Sequence, residues 1–249
     1  MIHPFTTLSP SWSIPNVKAY TILAFSSDSS PVSFGYDNPL VADCRKKIEQ
    51  LIKPAYPMLW LKQVHGNRVL ELPFTENKEI KDFFDPLNIE ADGTYTFHRR
   101  TVCTIVTADC LPIVFASKDG TRVGVAHAGR KGLEKDIISE MIKKINIPAD
   151  EIYVWIGPGI ASESYPVSRE IRDEVLSLSP AYESVFAEGE TDQFLMDLYL
   201  VANIQLASHG IPKENIDGAA WNTYTDKRFH SARRDKAQSG RMATVVWME

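Results

Sequence analysis

Thr107-Ala108-Asp109-Cys110-Leu111-Pro112-Ile113-Val114-Phe115 sets a carboxylate and a thiol side by side between two apolar runs. Thr101-Val102-Cys103-Thr104-Ile105-Val106 precedes it, and Ile113-Val114-Phe115-Ala116 closes it. Short apolar runs rich in β-branched residues read as buried strands. Pro112 has no N–H to give to a ladder, so it marks a strand boundary or a bulge. Cys110 therefore falls where one strand gives way to the next. A carboxylate is costly to bury without a partner, and Asp109 beside that thiol points to a site.

Two further segments have the same form. Leu59-Trp60-Leu61-Lys62-Gln63-Val64-His65-Gly66-Asn67 reads as a strand running into a turn, with His65 at its end. Thr121-Arg122-Val123-Gly124-Val125-Ala126-His127-Ala128-Gly129 reads the same way, with His127 at its end. Thiolate and imidazole are both zinc donors, and three protein ligands with one open position is the catalytic arrangement. On residue types alone the plainer reading stays open and is the commoner case: two hydrogen-bonded histidines and a core cysteine.

The 249 residues suffice for a sizeable core, and 44% hydrophobic with 24% charged residues is ordinary for a globular chain. A net charge of −5 argues against a general nucleic-acid or membrane binder, while leaving room for a local basic pocket. Cys44, Cys103 and Cys110 are odd in number and carry no disulfide framework. No secretory leader pattern opens the chain, and no apolar run reaches about 18 residues. The expectation is a soluble, cytoplasmic protein in a reducing compartment.

Residues 1–18 read as an N-terminal arm or a first strand, Tyr20–Phe25 as a strand and Ser26–Ser33 as a polar loop. Leu40, Val41, Cys44, Ile48, Leu51 and Ile52 predict one amphipathic helix ending near Pro54. Residues 73–89 read as a polar surface excursion, and Ala91-Asp92-Gly93 as a turn. Ser117-Lys118-Asp119-Gly120 signals a hairpin. Leu133, Ile137, Ile138, Met141 and Ile142 form a helical stripe behind His127. Arg130 and Lys131 stand at its start, where free N–H groups favour an anion. Ile152–Ile156 predicts a buried strand entering Gly157-Pro158-Gly159, and Ser168 a helix cap. Residues 180–193 read as an acidic loop, Phe194–His209 as one long helix and Met242–Met248 as a last strand. Arg233, Arg234 and Arg241 are the densest basic group; Arg suits bidentate phosphate recognition, and salt bridging to the surplus acids is the equal alternative. Strands and helices without βαβ regularity indicate an α+β class.

Gln63-Val64-His65-Gly66, Ala91-Asp92-Gly93, Thr107-Ala108-Asp109-Cys110-Leu111-Pro112 and His127-Ala128-Gly129 occur in the order and spacing of the YfiH-like family. Phe229-His230-Ser231-Ala232-Arg233-Arg234-Asp235 and Gly240-Arg241 resemble that family's closing segments. The likeness covers roughly residues 20–249. Members are described both as laccase-domain or multicopper polyphenol oxidase proteins and as purine nucleoside phosphorylases with adenosine deaminase activity. The resemblance implies a single domain over residues 1–249, a layered arrangement of mixed β-sheets flanked by helices, akin to deamidating toxins with a Cys-His pair. It implies one zinc per chain on His65, Cys110 and His127, with copper only as an adventitious substitute. Asp109 is further expected to act with these three in catalysis, and Arg233, Arg234, Asp92 and Gln63 to contact substrate. Arg130, which stands where the family usually has Trp, is expected to contact a substrate phosphate or carboxylate by its charge, with a solvated helix start the equal alternative. Asp92 is alternatively the carboxylate that orients a ligand histidine through its other ring nitrogen. Implied partners are purine nucleosides and inorganic phosphate, with no nucleic acid or membrane.

The chain also departs from the family pattern. Asp28 with Ser29-Ser30 replaces an Arg and a Gly pair, and Arg130-Lys131 replaces Trp-Arg. Gly159, Glu163 and Ser164 fill places often held by cysteine, and Asn222 lies where Cys-Thr is usual. Two other functions therefore stay open: a Cys-His thiol hydrolase, and a non-catalytic binding protein with an eroded site. A true multicopper oxidase is not expected. The six histidines, His3, His65, His98, His127, His209 and His230, include no His-x-His pair and are too few for a type 1 copper plus a trinuclear cluster.

Overall fold

The computed structural model describes residues 5–25, 28–31, 41–73, 89–218 and 221–249. The chain opens with strands β1 (Phe5–Leu8), β2 (Val17–Phe25) and β3 (Asp28–Pro31), followed by helix α1 (Val41–Ile52). Strands β4 (Val69–Leu72), β5 (Gly93–Thr96), β6 (Cys103–Thr107), β7 (Leu111–Ser117) and β8 (Val123–Ala128) come next. Helices α2 (Arg130–Glu134) and α3 (Ile137–Ile145) then lead to β9 (Ile152–Ile156). After β10 (Pro166–Ser168), α4 (Arg169–Leu178), β11 (Phe186–Glu188) and β12 (Gln193–Met196) comes α5 (Leu198–Ser208). The chain closes with β13 (Ile216–Asp217), α6 (Ala232–Asp235) and β14 (Met242–Met248).

Two large sheets result, the first antiparallel throughout and the second mixed. One runs β1-β2-β14-β6, with β3 also on β2; the other runs β13-β9-β7-β8-β5-β4. A small third sheet, β10-β12-β11, lies apart. The α+β class, with antiparallel and mixed sheets and flanking helices, follows from these pairings. The apolar runs on either side of Cys110 thus enter different sheets: β6 pairs with β14, whereas β7 pairs with β8 and β9.

Layering explains why those runs lack polar alternation. Ile113 and Phe115 of β7 pack with Ile137, Ile138 and Met141 of α3 and Val201, Ala202 and Leu206 of α5. Val114 and Ala116, on the opposite face, pack with Cys103, Ile105, Val246 and Met248 of the other sheet. The far face of that sheet, with Val106, Ala243 and Val245, takes Ile48 of α1. Strands covered on both faces read as continuous apolar runs, and each fully buried Ile or Phe contributes roughly 1.5–3 kcal/mol.

Several elements differ from expectation, each for a local reason. Residues 57–61 form no strand, and Lys62 makes only an isolated bridge to Glu90. Their side chains still alternate: Leu59 and Leu61 enter the core between the sheets, Met58 and Trp60 the core under α1. Leu51 is exposed, although it shares the helical stripe. The helix after His127 breaks into α2 and α3 because Asp136 takes a left-handed conformation, φ 55°, and caps α3 by accepting from Ser139 N. The long helix expected from Phe194 starts only at Leu198. Asp197 is its cap, accepting from Leu200 N, and residues 193–196 pair as β12. Part of the expected acidic loop is strand β11. Ser168 occupies the cap position of α4 but makes no capping hydrogen bond. Of the polar run Ser26–Ser33, Asp28–Pro31 pairs with β2. The rest of that run, the side chains of Asp28–Pro31, Leu40 and most of the 73–89 excursion lie outside the described residues. Among the described residues no helix is long and apolar enough to cross a membrane.

Candidate metal centre and its cavity

Ala108-Asp109-Cys110 is the turn that carries the chain from one sheet to the other. Asp109 sits in it at φ 86°, a conformation that Asp tolerates better than most residues. Its carboxylate fastens the end of the chain to this turn. Thr223 Oγ1 donates to Oδ1 at 2.6 Å, and the backbone N–H of Arg233 donates to Oδ2 at 2.7 Å. Its carbonyl accepts from Ile160 N at 2.8 Å. Asp109 thus has partners at both carboxylate oxygens and is 8% exposed.

His65 lies in a second turn, also left-handed at φ 57°. Asp92, fully buried, shapes that turn. Its Oδ1 accepts from His65 N at 2.8 Å, and Oδ2 from Gly66 N at 2.7 Å and Val64 N at 3.2 Å. The same Oδ1 lies 2.8 Å from Nδ1 of His127. Burial opposes the charge on Asp92, but the hydrogen bond from His127 and the backbone N–H groups of Gly66 and Val64 outweigh it and hold the carboxyl below its ordinary value. Gln63 ties the segment down from the other side. Its amide donates to Val106 O and accepts from Val106 N, both at 2.7 Å, copying a strand pair.

His127 is held in β8, opposite Pro112 of β7. With Nδ1 on Asp92, its other ring nitrogen is left to the cluster. The His65 and His127 rings stand 4.7 Å apart, edge to face at 70°. One donor atom each from His65, Cys110 and His127 lies within 4.8 Å of the others. Burial alone would raise the Cys110 thiol, yet the imidazoles of His127 and His65 bring it down to about 6. Burial disfavours charge on His127 too, but the Cys110 thiolate and Asp92 raise it to about 9. Cys103, buried without such neighbours, is pushed up to about 12. Gly129 is required here: a Cβ on it would stand 2.6 Å from Cys110 Sγ and 3.1 Å from His65 Cδ2.

A cavity of about 530 Å³ opens beside this cluster, lined by His65, Cys110 and His127 together with Gln63 and Asp109. Val106, Ala108, Ile160 and Tyr165 give it an apolar wall, and Arg233, Lys236 and Arg241 a cationic one. Of the arginines expected to touch substrate, only Arg233 lines it. Arg130 turns to Glu134 at 2.5 Å, with Glu174 at 3.8 Å. Arg234 is engaged by Asp235 and by the carbonyls of Thr223, Tyr224 and Phe229 at 2.8–3.0 Å, which makes it the staple of the closing segment. Asp92 does not line the cavity either. Lys236, Thr107 and Tyr165 were not singled out by the sequence reading. The basic run Arg233-Arg234-Asp235-Lys236 held a signal for Lys236; nothing local marked Thr107.

Four of the departures from the family pattern, Gly159, Glu163, Ser164 and Asn222, lie on two loops that touch. Asn222 Nδ2 donates to Glu163 Oε1 at 2.7 Å and to Ser164 Oγ at 2.9 Å. Tyr199 OH accepts from Gly159 N at 2.7 Å and from Trp221 N at 3.2 Å, joining the same two loops. Polar contacts thus connect segments where cysteines are common in the family.

Over residues 25–249 the sequence matches the family described as multi-copper polyphenol oxidoreductase laccase, and the chain belongs to that family. Purine nucleoside phosphorylase YfiH of Escherichia coli K12 is 34% identical over 217 residues, covering 85% of this chain and 83% of that one. The purine nucleoside phosphorylase of Haemophilus influenzae is 31% identical over 255 residues, covering 97% and 99%. The crystal structure of Neisseria meningitidis protein NMB0706 matches with a TM-score of 0.83 at 26% identity, over 99% of this chain and all of the other.

Proposed function

We propose that this chain is a zinc-dependent enzyme of purine nucleosides, cleaving the glycosidic bond with inorganic phosphate and also deaminating adenosine. The observation that carries this reading is the cavity: an apolar wall and a cationic wall meet beside His65, Cys110 and His127. The volume of about 530 Å³ suits a nucleoside with a small anion. The names of the Escherichia coli and Haemophilus influenzae relatives point the same way. We read residues 1–249 as one catalytic domain, because both sheets contribute to the same cavity.

The donor set fits zinc. One thiolate and two imidazoles lie within reach of one ion, and Asp92 fixes the tautomer of one imidazole. When bound, such a metal supplies a Lewis acid and lowers the pKa of water to about 7. The protein's own residues do the rest. Asp92 holds both histidines in register, while Val106, Ala108, Ile160 and Tyr165 shelter the base and sugar. Arg233 offers its guanidinium to phosphate. In phosphorolysis a phosphate oxygen bonds to C1′ of the ribose while the C1′–N9 bond breaks. Its electron pair leaves with the purine, which takes up the proton given up by phosphate. In deamination water adds at C6, and the amino group departs as ammonia with a proton from that water.

A second reading has one observation in its favour. Cys110 and His127 hold each other as thiolate and imidazolium, the state of a Cys-His nucleophile. Metal analysis of the protein purified without added metal, combined with a nucleoside panel assayed with and without phosphate, separates the two. One zinc per chain with phosphate-dependent release of free base supports the enzyme proposed. Metal-independent, alkylation-sensitive hydrolysis supports the second reading. A folded, zinc-loaded protein that turns over no nucleoside would leave a binding protein with an eroded site.

A further inference from the structure

We propose that Lys236, with Arg233 and the hydroxyl of Thr107, forms an anion subsite in the cavity and receives the inorganic phosphate. This inference rests on the phosphorylase reading above and adds the residues that bind its second substrate.

Lys236 lines the cavity, and among the described residues its ammonium makes no hydrogen bond or ion pair. Its backbone adopts φ 54°, ψ −130°, a region that glycine enters freely and a β-carbon does not. A lysine held there keeps a side chain at a position where local sterics favour none, and such conformations concentrate at ligand sites. Arg233 lies with its guanidinium 5.0 Å over the Tyr165 ring, and among the described residues its other polar contact is a 3.4 Å approach to Pro166 O. Stacking fixes the plane of the guanidinium and leaves N–H groups for a ligand. Thr107 is 1% exposed and lines the same cavity, yet among the described residues its Oγ1 has no hydrogen-bond partner. A buried hydroxyl without a partner is costly, and a ligand oxygen would satisfy it.

The segment that carries both cations is fastened at Arg233 to the turn that carries Cys110. Asp109 accepts from Arg233 N and from Thr223, while Arg234 staples Thr223, Tyr224 and Phe229 beside them. The carboxylate of Asp109 is thereby engaged on both oxygens, and the cationic groups facing the cavity outnumber it. A dianion with three acceptor oxygens matches an ammonium, a guanidinium and a hydroxyl. The same chemistry could come from free phosphate or from the 5′-phosphate of a nucleotide, and the structure favours free phosphate because the subsite adjoins the metal cluster.

The test is direct titration of the zinc-loaded protein with inorganic phosphate, with inosine, and with inosine 5′-monophosphate, alongside the KM for phosphate. Lys236→Met should weaken phosphate binding, and raise its KM, by about tenfold or more, with inosine binding unchanged within about twofold. Lys236→Arg should recover most of the loss. Lys236→Gly relieves the backbone, so it should be at least as stable as wild type and still lose phosphate affinity. Thr107→Val should lose phosphate affinity severalfold while Thr107→Ser keeps it. Phosphate affinity unchanged in Lys236→Met and Lys236→Gly, with wild-type phosphorolysis intact, overturns this assignment and leaves the enzyme reading standing. Inosine 5′-monophosphate binding more tightly than inosine, with Lys236→Met erasing the difference, would assign the subsite to a nucleotide and overturn it also. Wild-type protein that neither binds phosphate nor forms ribose 1-phosphate removes both.

Discussion

Asp92 Oδ1 accepts from the ring Nδ1 of His127 and from the backbone N–H of His65, each at 2.8 Å. One buried carboxylate oxygen thus positions both imidazoles of the cluster, one through its tautomer and the other through its backbone. Asp92→Asn should lower zinc affinity about 10- to 100-fold, because the orienting charge is lost. Chelator competition measures this. Unchanged zinc affinity in a folded Asp92→Asn protein would refute the orienting role.

Cys110 and Cys103 should behave oppositely. Cys110→Ser should release the metal and abolish turnover, because a hydroxyl is a poor substitute for thiolate at zinc. Cys103→Ala should leave both intact. In metal-free protein the alkylation rate of Cys110 should rise with a midpoint near pH 6, since its thiol is lowered to about 6. Cys103, raised to about 12, should stay unreactive while the protein is folded. The stability of the metal-free protein follows the same pair. The lowered thiol contributes stability that is complete above 9.0 and lost as pH falls through about 6. The raised imidazole contributes stability that is complete below 6.5 and lost as pH rises through about 9. Tm of the metal-free protein should therefore be highest between about pH 6 and 9, and the maximum should flatten in Cys110→Ser. An alkylation midpoint near 9 would contradict the ion pair.

The cluster was legible in the sequence and its supports were not. Cys110, His65 and His127 could be singled out through the order and spacing of Gln63-Val64-His65-Gly66, Thr107-Ala108-Asp109-Cys110-Leu111-Pro112 and His127-Ala128-Gly129, because residue types alone favour two hydrogen-bonded histidines and a core cysteine. Asp92 could be read only as a turn or as an orienting group, since its four N–H and ring partners lie in two separate segments, residues 64–66 and His127. The arginines were harder. Arg130, Arg233 and Arg234 look equivalent as letters, but Glu134, one helical turn away, and nearby loop carbonyls occupy two of them, and loop geometry that the letters do not show decides which is left. The helix boundary at Asp197 was missed because Phe194-Leu195-Met196 continues an apolar run into the helix. The capping role of Asp197 outweighs that continuity.

Asp109 is read as a positioning residue. Asp109→Ala leaves the Thr223 hydroxyl and the Arg233 N–H without their acceptor, at about 1–3 kcal/mol for each buried group left unpaired. Thermal or denaturant unfolding should report this loss, and Asp109→Asn should keep the pH profile of kcat unchanged in shape. Loss of one limb of that profile in Asp109→Asn, with stability preserved, would make Asp109 a proton carrier instead.

Copper should not be the resident metal. Of the six histidines, only His65 and His127 share a metal-binding group among the described residues. His209 is occupied by Asp136 at 3.2 Å. Protein purified without added copper should lack a blue absorption band, and any phenol oxidation on adding copper should disappear in Cys110→Ser. Copper at four per chain with intense blue colour would reverse this conclusion.

The most direct test of the account is the yield of hypoxanthine and ribose 1-phosphate from inosine, with and without inorganic phosphate, using zinc-loaded wild type and Cys110→Ser. The account predicts equimolar products from wild type only when phosphate is present, and none from the variant. A folded, zinc-loaded wild type that forms no ribose 1-phosphate, or a Cys110→Ser protein as active as wild type, would contradict it.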